Sequence, residues 1–333
     1  MWRFLGYAAL ALCLLVGGGL IALYRGDIPH AKLDAKYRTE QSVHLDMGSG
    51  VVAHWRDEGN PNGRPLVLVH GFSSSTQTWD PWIPVLGGEY RLVSVDLPGH
   101  GLTRTPKGYA PSIDTYTDFV DAFMARIDLP RATIVGSSMG GHTAWNLALR
   151  HPERVEAIVL IGAAGWRVPD EPGAEEPAIF KLLRNPVLGP MLRSLDNSAL
   201  VRSGVESTFV NKTLVTDQMV ARYVDFSRAP NHRATLLAIT LNRDTAEEAT
   251  REKLSRIKVP TLVLHGDKDN LVPAKSAVLF GDSISGSRVV VYPSIGHLPQ
   301  EEIPEKSAED VRTFLHAAFP EQPAGAPIAA ALP

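Results

Sequence analysis

The stretch Gly136-Ser137-Ser138-Met139-Gly140 constrains this chain more than any other. It follows Ala132-Thr133-Ile134-Val135, β-branched enough for a buried strand, and precedes His142–Arg150, an Ala/Leu-faced helical stretch. A strand, a sharp turn bearing a serine, and a helix are what the pattern G-x-S-x-G requires. The turn is strained, and Gly136 and Gly140 supply the small residues it needs on either side. In that register the nucleophile is Ser138. Ser137 does not fit, because Val135 and Met139 would occupy the two small positions. A helix that starts just after the serine turns free N–H groups and the positive end of its dipole toward a reacting oxygen.

The chain has 333 residues, 44% of them hydrophobic, enough for one large α/β domain or two small ones. Its net charge of −3 offers no basic field for nucleic acid. The only cysteine, Cys13, lies in the apolar N-terminal stretch, so the body has no disulfide, no cysteine-based zinc site and no thiol nucleophile.

From Phe4 to Tyr24 the chain runs through about 20 uncharged, mostly apolar residues, the length of a bilayer span. Trp2, Tyr7 and Tyr24 suit the interfaces, and Arg3 and Arg25 bracket the run. The alternative is a cleaved signal peptide, with Gly17 and Gly19 near the cut, but Leu20–Tyr24 continues the apolar run past it. An uncleaved anchor over residues 1–25 is the expectation. The cues to orientation conflict. Arg25, Lys32, Lys36 and Arg38 after the span argue for a cytoplasmic body. The short basic start and the thiol-free body argue for export, and a single-pass protein with its body on the periplasmic side of a bacterial inner membrane is the expectation.

Residues 26–41 read as a polar juxtamembrane linker. Ser42–Met47 and Val51–Arg56 alternate around Gly48-Ser49-Gly50 as a hairpin, and Leu66–Val69 is a short strand buried on both faces. Further strands are expected at Arg91–Val95, Val155–Ile161, Thr261–Leu264 and Arg288–Tyr292, with helices at Ile113–Ile127 and Pro304–Phe319. This alternation predicts an α/β fold whose mostly parallel sheet is wound on both faces. Between about residues 163 and 250 it stops, and prolines and short amphipathic stretches predict a helical lid inserted into the domain. This domain spans 42–319, and the Pro/Ala-rich residues 320–333 are expected to be a disordered tail.

A serine hydroxyl is a weak nucleophile near neutral pH and needs a base, which in turn needs an orienting acid. Two late turns carry candidates: His265-Gly266-Asp267-Lys268-Asp269 after one strand, and Gly296-His297 after the next. Both follow the C-terminal ends of expected parallel strands, the edge where the serine turn also lies. Neither a metal-ligand cluster nor a phosphate-cradling or dinucleotide-binding glycine loop is present, so no cofactor and no metal are expected.

His70-Gly71-Phe72, Asp96-Leu97-Pro98-Gly99-His100-Gly101, Gly136–Gly141, Gly266-x-x-Asp269-x-x-x-Pro273 and Gly296-His297, in this order and on these strand ends, resemble the α/β-hydrolase superfamily from Ser42 to Phe319. The resemblance implies a serine hydrolase with catalytic Ser138, Asp269 and His297, and leaves Asp267 as a solvated turn residue. The oxyanion hole is implied at the backbone N–H groups of Met139, after the nucleophile, and Phe72. His70, His100 and His265 fall in the family's turn motifs as structural residues. A serine in the nucleophile position excludes the haloalkane dehalogenase and epoxide hydrolase branches, which need an aspartate there. The span, the His-Gly-Phe turn and the lid together resemble membrane-anchored monoacylglycerol lipases and bacterial phospholipase A and lysophospholipase enzymes. They imply a lipid or lipid-like ester as substrate and the bilayer as partner. Phe180, Leu182, Leu183, Val187, Leu188, Met191 and Leu192 are candidates to line an acyl path. Two alternatives stand: a hydrolase of C–C bonds of the meta-cleavage type, and a noncatalytic membrane-tethered scaffold. A homodimer is left open.

Overall fold

In a computed structural model the chain is described at residues 7, 14, 17–166, 185, 188–242 and 248–320. Helix α1 (His30–Tyr37) leads into strands β1 (Ser42–Gly48), β2 (Val51–Gly59), β3 (Pro65–Val69) and β4 (Arg91–Val95). Then come α2 (Ile113–Arg126), β5 (Ala132–Ser137), α3 (Met139–Arg150) and β6 (Val155–Ile161). Helices α4 (Ser198–Ser207), α5 (Asp217–Ser227) and α6 (His232–Asn242) separate β6 from β7 (Thr261–Gly266), and α7 (Lys275–Ser283), β8 (Arg288–Tyr292) and α8 (Pro304–Ala318) close the domain. The eight strands form one sheet in the order β1-β2-β4-β3-β5-β6-β7-β8. β1, β2 and β4 pair antiparallel, and every pair from β4 through β3 to β8 is parallel.

The short apolar runs of the central strands are explained by layers on both faces. Val67, Val69, Ile134, Ile158, Leu160 and Val263 pack with Tyr116, Phe123 and Trp145 from α2 and α3. Their sequence neighbours Leu66, Leu68, Val135, Val159, Ile161, Leu262 and Leu264 point the other way, onto Trp79, Trp82, Val311, Phe314 and Leu315. Period-2 alternation with both faces covered leaves no solvent-facing positions in such a strand.

The antiparallel end of the sheet is fastened by a buried polar hub. Asp96, just beyond β4 and fully buried, accepts the N–H groups of Thr76 (2.7 Å) and Leu102 (2.8 Å) and the Nδ1–H of His54 (2.7 Å). His54 Nε2 in turn lies 2.9 Å from Ser42 Oγ. The Asp96-to-Gly101 turn seen in the sequence is thus the knot that ties β1, β2 and β4 to the loop after β3.

One segment differs from the sequence reading, and the N-terminal apolar run lies largely outside the described residues. Residues 26–41 are no free linker, because they carry α1, whose Leu33 is buried with Leu102, Phe226 and Ala229. No helix among the described residues is long and apolar enough to cross a membrane. Residues 17–23 are helical, but most of Phe4–Tyr24, Cys13 included, lies outside the described residues, as does the stretch 321–333.

The hub makes a stability prediction. Burial alone pushes the Asp96 carboxyl up, but the charge and hydrogen bond of His54 outweigh it and hold the group at about 2. A carboxylate depressed in the folded state contributes stability above its unfolded value near 4, and that contribution disappears as pH falls toward 2. Asp96→Asn is expected to cost about 3 kcal/mol in urea unfolding at pH 7. The deficit relative to the parent should shrink between about pH 4 and pH 2.

Candidate active site

The serine turn is built by close backbone approach. Ser138 links β5 to α3 with φ 53° and ψ −115°, outside the regions an L-residue prefers. A Cβ on Gly136 would lie 2.2 Å from the Gly140 carbonyl oxygen, and one on Gly140 would lie 2.1 Å from that of Val69. The two glycines are therefore required by contact. The turn is locked by Ser138 N–H on Ile161 O (2.8 Å) and by the Ser138 carbonyl, which accepts from His142 (3.1 Å) and Ala164 (3.1 Å). The adjacent serine has the opposite fate: Ser137 is fully buried and its Oγ accepts from Gln300 Nε2 at 3.2 Å, while Ser138 is half-buried.

The two late turns meet at the same strand ends. His297 Nδ1 donates to Asp269 Oδ2 at 2.6 Å, leaving Nε2 as the basic nitrogen of that tautomer. The other oxygen of Asp269 accepts the N–H groups of Leu271 (2.8 Å) and Val272 (2.9 Å). His265 adds a third kind of partner, with its Nε2 3.1 Å from Asp269 Oδ2 and 2.9 Å from the Val272 carbonyl, so that this nitrogen carries the proton. Burial pushes the Asp269 carboxyl up, yet the hydrogen bonds from His265 and His297 outweigh it and hold the group far below the usual carboxylate range. Asp267 is exposed and its Oδ1 accepts only from the Ser294 backbone, at 2.6 Å. The structure thus joins His297 to Asp269 and keeps Asp267 apart. Gly162 lies against His297, since a Cβ there would sit 3.1 Å from His297 Nδ1.

The loop after β3 comes up beside the serine. A Cβ on Gly71 would lie 3.1 Å from Ser138 Cβ. The Gly71 carbonyl accepts from His70 Nδ1 (2.7 Å) and from Ser74 N–H (3.2 Å), and His70 Nε2 accepts the Leu97 N–H (3.0 Å). No peptide bond is cis among the described residues, so the Phe72 N–H points away from the Gly71 carbonyl that His70 holds. Phe72 itself is 43% exposed and Met139 is 6% exposed.

Sequence reasoning missed three partners. His265 and His70 were assigned to turns, but each holds a functional candidate, Asp269 or the Gly71–Phe72 peptide. The spacing of His265 four residues before Asp269 was the available signal. Thr208, between α4 and α5, accepts the His297 N–H at 2.8 Å through its carbonyl oxygen, and a backbone acceptor leaves no trace in a sequence. Of the residues proposed for an acyl path, Phe180, Leu182, Leu183 and Val187 lie outside the described residues; Leu188 and Met191 are exposed and Leu192 is half-buried.

The α/β hydrolase fold family matches residues 64–304, and the chain belongs to it. A solved membrane phospholipase A, described as a bacterial virulence factor, is 27% identical, covers 96% of this chain and 99% of its own, and superposes with a TM-score of 0.71. A solved meta-cleavage product hydrolase is 26% identical, covers 84% of this chain and 99% of its own, and gives the same TM-score of 0.71. A monoacylglycerol lipase, abhd6-B of Xenopus laevis, is 27% identical over 77% of each chain. The protein is a hydrolase of the α/β-hydrolase type.

The strained turn predicts an inverse effect of substitution. Ser138→Gly relieves the positive φ and is expected to raise the unfolding free energy by about 1 kcal/mol, whereas Gly140→Ala forces two backbones apart and lowers the urea midpoint. A Ser138→Gly variant no more stable than the parent would remove the strain from this account.

Proposed function

We propose that the protein is a membrane-anchored serine ester hydrolase of glycerolipids or phospholipids that works through an acyl-serine. Ser138 Oγ attacks the ester carbonyl and His297 Nε2 takes its proton. Asp269 orients the imidazole and stabilises it once charged. The N–H groups of Phe72 and Met139 receive the oxyanion. His297 then returns its proton to the leaving alcohol, and the same groups activate water to release the fatty acid. The 2.6 Å His297–Asp269 bond at the foot of a strained serine turn is the observation that supports this chemistry most directly.

The choice of a lipid rests on the N-terminal segment. The likeness to the phospholipase A covers 96% of this chain against 84% for the meta-cleavage product hydrolase, although both share the core fold. The apolar run from Phe4 to Tyr24 is long enough to hold the body at a bilayer, where local concentration favours a lipid ester over a soluble one. Leu188 and Met191 expose apolar surface on the lid. We place the body on the periplasmic face of a bacterial inner membrane, in a single-pass arrangement. The C–C bond reading shares the three candidate residues and is separated from this one by substrate alone.

Full-length protein in detergent is expected to label with a fluorophosphonate at Ser138 and to release fatty acid from monoacylglycerol or lysophospholipid. Ser138→Ala should abolish both, lowering kcat by about 10⁶, while Ser137→Ala keeps most of the activity. Asp269→Asn should cost about 10⁴ and Asp267→Asn little. Efficient turnover of a dienoate ring-cleavage product with no lipid hydrolysis would transfer the protein to the C–C class. The anchor is tested separately: the protein should stay with membranes through carbonate washing, and protease added to spheroplasts should digest its body.

A further inference from the structure

The residues that follow the apolar N-terminal run are bonded to the lid at both ends of its described helices. At one end, Asp196 N–H donates to Leu23 O (2.8 Å), Arg25 N–H donates to Ser194 O (2.7 Å), and the Arg25 guanidinium pairs with Asp196 (3.1 Å). At the other, Ile28 N–H donates to Arg228 O (2.8 Å), and the Arg228 side chain reaches back to Gly26 O at 3.1 and 3.0 Å. Arg233, at the start of α6, joins the two ends. Its Nη1 donates to Arg25 O (2.8 Å) and Arg193 O (2.9 Å), and its Nη2 pairs with Asp27 (2.6 Å). From α1, Lys36 Nζ and Tyr37 O–H both reach Asp225 on α5, at 2.7 and 2.8 Å, and the Tyr37 ring lies 4.7 Å from that of Phe226. α1 is itself seated on the body: Asp34 pairs with Arg104 at 2.6 Å, and Arg104 exchanges backbone hydrogen bonds with Val52 in β2.

The lid is bonded in the same way to the loop that carries the base. Thr208 O accepts the His297 N–H, and a Cβ on the preceding residue, Gly296, would lie 2.4 Å from that same oxygen. The Val210 and Asn211 N–H groups donate to Glu302 Oε1, whose Oε2 accepts the Gly296 N–H at 2.8 Å. Leu298, next to His297, is buried with Val205, Phe209, Val215 and Val220 of the lid. The base-bearing loop and the lid therefore form one packed unit on this side. Bonds and packed side chains run without a break from residue 23 through α4 and α5 to the backbone of His297.

We propose that residues 23–37 are a strap that fixes the lid against the body and, through the Thr208 carbonyl, sets the position of His297. The proposal rests on the reading of His297 as the catalytic base. Its physical content is a differential one. The strap's bonds exist only in the lid position seen here, so they favour that position over any in which the lid is displaced. A displaced lid withdraws the acceptor of the His297 N–H and the side chains around Leu298. A misplacement of a base by about 1 Å is enough to slow proton transfer severely. The strap begins where the apolar run ends, so a pull on that run acts on the same contacts.

Arg233→Met removes the residue that joins both ends of the strap, and Asp225→Asn weakens the hold on α1. Arg202→Met is the control, because Arg202 pairs with Asp217 and Glu206 within the lid. Backbone amide exchange of the full-length protein in detergent reads the two ends directly: the Ile28 N–H reports the strap, and the His297 N–H reports its bond to Thr208. In Arg233→Met, or in the double variant with Asp225→Asn, both amides should exchange at least tenfold faster. kcat toward short- and long-chain esters should fall about tenfold with KM for the short ester unchanged. Arg202→Met should match the parent in all of these. A strap that loosens while His297 exchange and kcat hold steady would overturn the proposal, as would a double variant whose Ile28 amide stays protected. If the parent protein fails to react with a fluorophosphonate, the serine-hydrolase reading falls, and amide exchange still decides whether the strap controls the loop.

Discussion

The backbone of the serine turn touches the backbone of a neighbouring strand, and the arrangement of the whole active edge follows from that contact. Gly140 lies so close to Val69 O that any side chain there would overlap it, and Gly136 lies equally close to Gly140. Such an approach is possible only if β5 sits beside β3 and α3 leaves the sheet at once. Both conditions are met by parallel strands buried on both faces. The strain at Ser138 is the cost of lifting one side chain clear of the sheet, and it is offset by the hydrogen bond to the Ile161 carbonyl, by those from His142 and Ala164, and by the packed layers beneath. Gly71 also lies against Ser138, so the serine stands beside two loops, both at C-terminal strand ends.

Serine, histidine and aspartate also come together away from Ser138, and the contrast shows what residue type alone leaves open. Ser42, His54 and Asp96 are linked at 2.9 and 2.7 Å, distances a catalytic triad would display. But all three are buried, Ser42 sits on a regular strand, and Asp96 is occupied with holding the Thr76 and Leu102 backbones. This alignment stabilises the antiparallel end of the sheet. At the other site the serine is lifted by strain, begins a helix, and is bordered by a loop whose peptide orientation His70 holds. Partial exposure, backbone strain and a helix that begins at the serine distinguish Ser138 from the buried Ser42.

Much of this was legible in the sequence, for a physical reason. Strands buried on both faces must be short apolar runs, and a strained turn with backbone contacts must carry glycines, so Leu66–Val69, Ala132–Val135 and Gly136–Gly140 each had one economical interpretation. The turns that end those strands offered Ser138, His297 and two aspartates, and the choice of Asp269 over Asp267 came from the family resemblance alone. Residues 26–41 failed as a linker because their polar composition resembles that of any solvated stretch. Their partners, Asp225, Arg228 and Arg233, lie some two hundred positions away and bond largely to backbone oxygens. The same holds for Thr208: a carbonyl acceptor is indifferent to its side chain, so nothing in residue type marks it.

These backbone bonds also alter what the lid is. A helical insertion over an active site is readily pictured as a removable roof, with the catalytic machinery complete beneath it. Here Ser138, Met139 and Phe72 belong to the sheet and its loops. The seat of His297 is different. His297 takes its side-chain partner from Asp269, at the end of β7, but its main-chain partner from Thr208 in the insertion. Burial of Leu298 among Val205, Phe209, Val215 and Val220 makes that sharing hydrophobic as well as polar. A side chain held by both layers is positioned only when they are in register. The insertion thus forms a structural half of the seat of His297, and its attachment to residues 23–37 ties that register to a segment far away in the sequence.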